Sequence, residues 1–222
     1  QGNTERAEEL LRKAMDISPA NSDLLKQLGN VYLETGDRQK AKDLFQQVVA
    51  ADQFDFATWL KLARLHFEDE EYNKLDQFEA QLRNRLKAFP DVQVRYGMMA
   101  QSFGEYERAR RALERALDQV PQDLGARMAL SDVYERLGKP EMAVEAIKNG
   151  EEYARESDEL FRRQQQYLAA LLDDLGRHEQ AQEIWKKLIE DYPDNMDLRA
   201  AEVFSFVAQD DQEGVKNALN EV

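Results

Sequence analysis

The sequence predicts an all-α chain built as a solenoid of antiparallel helix pairs. Three observations lead there: a recurring glycine-headed phrase, a spacing of 34 residues between its copies, and two amphipathic stripes per period. The phrase reads GDRQKAKDLF from Gly36, with fainter copies from Gly2, Gly104, Gly138 and Gly176. The small residue five places on gives Ala7, Ala41, Ala109, Ala143 and Ala181. Ala7 to Ala41 is 34 residues, Ala41 to Ala109 is 68 with a member at Leu75, and Ala109 to Ala143 is 34 again. Ala143 to Ala181 is 38, a slip of four, and another 34 reaches Val215. A fixed period of this length marks stacked helical units that cannot bury their apolar faces alone.

In chain order, residues 1–21 hold the second helix of a partial repeat. Windows 22–55, 56–89, 90–123, 124–161 and 162–195 each hold a pair, and 196–222 is partial again. The window 124–161 is the one lengthened by four. All of 1–222 then forms one solenoid of about six repeats, incomplete at both ends. In the first helix of a pair, Leu25, Leu28, Val31 and Tyr32 share a face; in the second, Ala41, Leu44, Phe45, Val48 and Val49 do. The glycine between them suits a tight turn at positive φ. Pro19, Pro121 and Pro193 each fall twelve residues after an anchoring alanine and stop the second helix. Ser22 and Asn195 offer oxygens to cap the next. The slip is expected within 150–161, where four residues, close to one helical turn, lengthen a helix without rotating its buried face.

Gly29, Ala63, Gly97, Ser131 and Ala169 recur at one place in the first helices, opposite the alanine series. Small on small allows close helix approach. Window 56–89 departs from the code, with Leu75 for alanine, Glu79 for the aromatic and Glu70 for the turn glycine. Either one tolerant repeat has drifted, or a wider splay opens a pocket near Phe54, Phe56 and Trp59, which otherwise fill the seam.

Composition narrows the chemistry. With 30 basic against 44 acidic residues the net charge is −14, which argues against nucleic acid and anionic membrane surfaces as partners. No apolar stretch approaches the ~20 residues of a membrane span. The absence of cysteine excludes disulfides, thiolate metal sites and cysteine nucleophiles. His66 and His178 lie far apart, His66 at the packing place of Tyr32 and Tyr134, and His178 in a turn open to solvent. No phosphate loop, G-x-S-x-G elbow or H-E-x-x-H occurs. The run EDEE at 68–71 and the pair Asp173–Asp174 read as solvated faces. No catalytic residue, metal ligand or cofactor is expected.

The pattern resembles the tetratricopeptide repeat, a 34-residue helix–turn–helix. Leu25, Leu28, Gly29, Tyr32, Gly36, Ala41, Phe45 and Val48 carry the resemblance in one window. Tyr96, Gly97, Gly104, Ala109, Leu113, Ala116 and Pro121 carry it in another, and Leu168, Ala169, Gly176, Ala181, Trp185, Leu188 and Pro193 in a third. The resemblance implies a right-handed superhelix with a concave groove lined by first helices. Transferred to this sequence, the groove places fall on Lys26, Asn30, Leu60, Lys61, Arg64, Phe67, Arg95 and Met98, then on Asp132, Glu135, Asp173 and Asp174. The groove is then basic toward the N-terminal half and acidic toward the C-terminal half. Members that clamp a C-terminal carboxylate would match at Lys26, Asn30 and Arg95, but Lys61 and Asp91 depart from that pattern.

The function this implies is a non-enzymatic adaptor holding a protein or peptide segment in the groove. The alternative is a self-associating spacer of a larger scaffold, such as a bacterial envelope, secretion or exopolysaccharide assembly protein. An accessory domain of an enzyme is a third reading. Gln1 and Val222 both fall inside repeat units, as expected of a piece of a longer protein, so cytoplasm and periplasm both stay open.

Overall fold

The computed structural model describes the backbone of residues 2–86 and 88–220, and their side chains except at 2, 3, 78, 81–86 and 220. Gln1 and Val222 lie outside the described residues. The chain divides into two compact units, 1–86 and 87–222. Among the described residues every regular element is helical.

Unit 1 holds α1 (Gly2–Ile17), α2 (Ser22–Thr35), α3 (Arg38–Ala51), α4 (Phe56–Glu68) and α5 (Tyr72–Leu86), each packed on the next. Its core gathers Leu25, Leu28, Tyr32, Ala41, Leu44, Phe45, Val48, Leu62 and Leu65, flanked by Leu11, Met15 and Leu33. A Cβ on Gly29 would lie 2.6 Å from Phe45 Cε1. The small place on α2 therefore receives the large ring one turn beyond Ala41. Trp59 is fully buried, Phe56 half-buried and Phe54 exposed, so Phe54 does not fill the seam. It meets Phe56 edge to face, with ring centroids 6.1 Å apart.

Unit 2 holds α6 (Pro90–Ser102), α7 (Tyr106–Leu117), α8 (Leu124–Arg136), α9 (Pro140–Lys148), α10 (Glu151–Ala154), α11 (Asp158–Asp174), α12 (His178–Asp191), α13 (Met196–Ala208) and α14 (Gln212–Asn220). A Cβ on Gly97 would sit 2.8 Å from Leu113 Cγ and 3.2 Å from the Ala109 carbonyl oxygen. Ser131 holds the same place on α8, and its hydroxyl uses the close approach to donate to the Ala143 carbonyl at 3.1 Å.

Helix caps keep the period. Asn21, Asp55, Asp123 and Ser157, spaced by multiples of 34, each accept from backbone N–H groups of the following helix. Asn21, not Ser22, caps α2, since its extended backbone turns the amide oxygen onto the N–H groups of Asp23 and Leu24. Asn195 caps α13 as expected, 38 residues after Ser157. The four added residues therefore lie inside α11, which runs 17 residues where α8 runs 13.

Within 150–161 the chain instead breaks between α9 and α10 around a buried polar cluster. The Arg127 guanidinium, 7% exposed, donates to the carbonyls of Pro121 at 2.7 Å and Ala146 at 3.0 Å. Its remaining described partner is the ring of Tyr153, 6.0 Å to the centroid. Burial lowers its pKa from the ordinary guanidinium value. Gln164 donates to the Ile147 carbonyl at 2.5 Å, so two side chains satisfy the end of α9. A Cβ on Gly150 would lie 2.6 Å from Arg127 Cδ, which reserves that place for glycine.

The turns inside the pairs share one geometry. Gly36, Gly104, Gly138 and Gly176 take positive φ, and so do Glu70 and Asp210, both at 56°. In each, the next N–H reaches a carbonyl five residues back, as from Asp37 to Tyr32 and from Glu71 to His66, both 2.8 Å. The left-handed region costs an L-residue roughly 1–2 kcal/mol, while glycine adds unfolded-chain entropy worth about half of that. Glu70→Gly is thus expected to stabilise unit 1 by about 0.5–1 kcal/mol in urea unfolding. Asp210→Gly should gain less, because aspartate tolerates this region better.

Candidate partner-binding faces

In unit 1 the predicted residues lie on α2 and α4, and two are in direct contact: Lys61 Nζ donates to Asn30 Oδ1 at 3.0 Å. Lys61 also stands 5.9 Å from the centre of the Phe45 ring. Lys26 pairs with Asp23 at 3.0 Å and Asp55 at 3.2 Å, and hydrogen bonds to these two raise its pKa. Its charge is already matched, so it offers a carboxylate less than a clamp lysine should. Arg64 is exposed and reaches Glu68 at 2.9 Å along its own helix. Leu60 and Phe67, 5% and 2% exposed, belong to the core and not to the face.

The EDEE run is exposed at 68–70, as expected, but three of its four carboxylates are ion-paired. Lys42, 4% exposed, pairs with Asp69 at 2.8 Å and Glu71 at 2.7 Å, and His66 Nδ1 lies 2.7 Å from the same Glu71. Arg38 joins Glu68 and Asp69 at 2.6 and 2.9 Å. Burial works against the Lys42 charge, but its hydrogen bonds to Asp69 and Glu71 outweigh that and raise its pKa. The Lys42 bond in turn depresses Glu71. The one sequence signal was a lysine directly after the fully buried Ala41.

In unit 2, Arg95 and Met98 on α6 are exposed, Met98 by 50%. Asp132 and Glu135 share a face of α8, and the Tyr167 hydroxyl of α11 donates to Asp132. Partial burial raises the Glu135 pKa, and the charges of Asp132 and Asp174 add to it against Arg136. The structure thus brings Asp132, Glu135 and Asp174 together and places Asp173 elsewhere. Asp173 accepts from Trp185 Nε1 at 3.1 Å and holds His178 Nδ1 at 3.1 Å, leaving its side chain 9% exposed. His178 begins α12 half-buried rather than standing in solvent. Tyr167 was missed in the sequence although Leu168 and Ala169 beside it keep the period, because its bond to Asp132 joins two helices.

Among the described residues, no three His, Asp or Glu side chains are grouped to hold a metal ion, and no helix is long and apolar enough to cross a membrane.

Family models of the tetratricopeptide repeat match residues 1–65, 98–153 and 165–195. No curated protein sequence matches the chain. Among solved structures, one described as Naa15/Naa10 bound to HypK-THB superposes with a TM-score of 0.57 at 21% identity, over 100% of this chain and 34% of that one. A tetratricopeptide repeat protein from Parabacteroides merdae gives 0.52 at 18%, covering 99% and 87%. MamA gives 0.51 at 21%, covering 69% and 84%. At these identities the likeness is one of fold. Repeat phase, paired helices and matched family models agree: the chain belongs to the tetratricopeptide repeat family.

Proposed function

We propose that the chain is a non-enzymatic adaptor that holds an extended or helical segment of another protein along its first-helix faces. Tetratricopeptide repeats serve as protein-interaction modules, which supports the general reading. The observation that carries the finer one is that Lys61 and Arg64 on α4 and Arg95 on α6 are exposed. The turns at Gly36, Glu70 and Gly104 keep the 34-residue phase across the boundary at 86–87, which supports reading 1–222 as one repeat array.

Lys61→Glu/Arg64→Glu/Arg95→Glu is expected to keep its helical circular dichroism and to lose a partner that the parent captures. Retention of the same partner by an equally helical variant overturns the groove. A second reading, self-association as a spacer, is favoured by Leu10 and Ile17 on α1, 59% and 84% exposed. Sedimentation of the parent beside Leu10→Ser/Ile17→Ser separates the two.

A further inference from the structure

In unit 2 the first helix α11 packs on both α8 and α13, and the character of the exposed and half-buried residues changes from α8 to α13. Phe204 and Val207 stand eight and eleven residues into α13, the places Asp132 and Glu135 hold in α8. They are 71% and 57% exposed, and three apart on a helix they share a face. Helix α11, which packs on both α8 and α13, adds Asp174 on the acidic side. Among the described residues no cation is ion-paired with Asp132, Glu135 or Asp174.

We infer that this face docks an extended protein segment carrying a basic pair at one end and a large apolar pair at the other. The cations meet Glu135 and Asp174, and the apolar residues cover Phe204 and Val207. Neighbouring helices sit about 8–10 Å apart, so two steps along the row span on the order of 20 Å. An extended strand advances about 3.3 Å per residue, which sets the two pairs roughly six residues apart. Charge complementarity selects this occupant over an acidic segment, which Asp132, Glu135 and Asp174 repel. A cation bound beside Glu135 and Asp174 offsets the burial and the like charges that disfavour the Glu135 carboxylate.

The inference rests on the first-helix faces being the partner surface, and its test separates the two. A fluorescein-labelled peptide with Lys-Lys and Phe-Leu joined by five serines is titrated with the whole chain and followed by anisotropy. One control replaces the lysines by glutamate, the other replaces Phe-Leu by serines. The parent peptide is expected to bind at least tenfold more tightly than either control. Glu135→Gln/Asp174→Asn and, separately, Phe204→Ser should each weaken it at least fivefold. The Glu135→Gln/Asp174→Asn chain should also melt no lower than the parent, which a merely structural role would not produce. Absence of binding, equal binding of a control, or unchanged affinity in both variants overturns the inference. So does a dimer that Phe204→Ser dissolves, since the face would then belong to a second copy. A natural partner lost with Lys61→Glu/Arg64→Glu/Arg95→Glu but kept by Phe204→Ser leaves the adaptor reading standing and overturns this one.

Discussion

Phe45→Ala is expected to cost unit 1 about 3–5 kcal/mol, the range for emptying a fully buried aromatic site. Phe45 has no exposed surface, and its ring occupies the hollow that Gly29 leaves on α2. Gly29→Ala approaches the same hollow from the other side: its Cβ would lie 2.6 Å from the ring edge, and the overpacking should cost about 1–3 kcal/mol. Because both changes act on one space, Gly29→Ala/Phe45→Leu should lose less than Gly29→Ala and Phe45→Leu measured singly and added together. The chain has two tryptophans, Trp59 in unit 1 and Trp185 in unit 2. Urea unfolding followed by fluorescence in a Trp185→Phe background therefore reads unit 1 alone. Strict additivity would mean that Gly29 and Phe45 do not share the seam.

Lys42→Met should cost unit 1 roughly 2 kcal/mol at pH 7. That is below the 3–5 of a fully buried pair, because Asp69 and Glu71 keep contact with water. It should also change the response to acid. Glu71 is depressed below its ordinary value of 4.5 by the hydrogen bond from Lys42. Burial pushes Asp69 up, but its bond to Lys42 prevails and holds it below 3.8. Carboxylates with depressed folded pKa contribute stability that is complete above those values and is lost as pH falls through the folded ones. The parent should thus weaken from about pH 4.5 downward. Lys42→Met should start weaker and lose less over the same interval. Parallel curves for parent and variant, measured by Trp59 fluorescence in urea from pH 7 to pH 3, would sink the account. Glu135 in unit 2 runs the other way: its pKa is raised, so protonation relieves repulsion there.

The repeat was legible because packing places recur while their neighbours vary. Ala41, Ala109, Ala143 and Ala181 have no exposed surface, and a period is what a buried column writes into a sequence. What escaped the reading depends on relations between helices. EDEE is the solvated run it reads as, but nothing local shows the buried Lys42 that pairs with it, and nothing local distinguishes Asp173, turned to Trp185 and His178, from Asp174 beside it. Glu70 was legible as a missing glycine, but not that its backbone keeps the glycine conformation. The slip was legible in length only; the cap at Ser157 locates it inside α11. The division of the chain into two compact units had no counterpart in composition, since no linker-like stretch separates them.

The Arg127 cluster has a bearing on where each unit can function. Unit 1 is tied between α3 and the α4–α5 turn by groups that gain or lose protons. Unit 2 is tied at the end of α9 by a guanidinium that stays charged and by carbonyls that do not titrate. Acidification therefore reaches only one of the two fastenings. A chain carried into an acidic compartment would loosen around residues 38–71 while 121–150 stayed latched, so proteases there would find the first segment before the second.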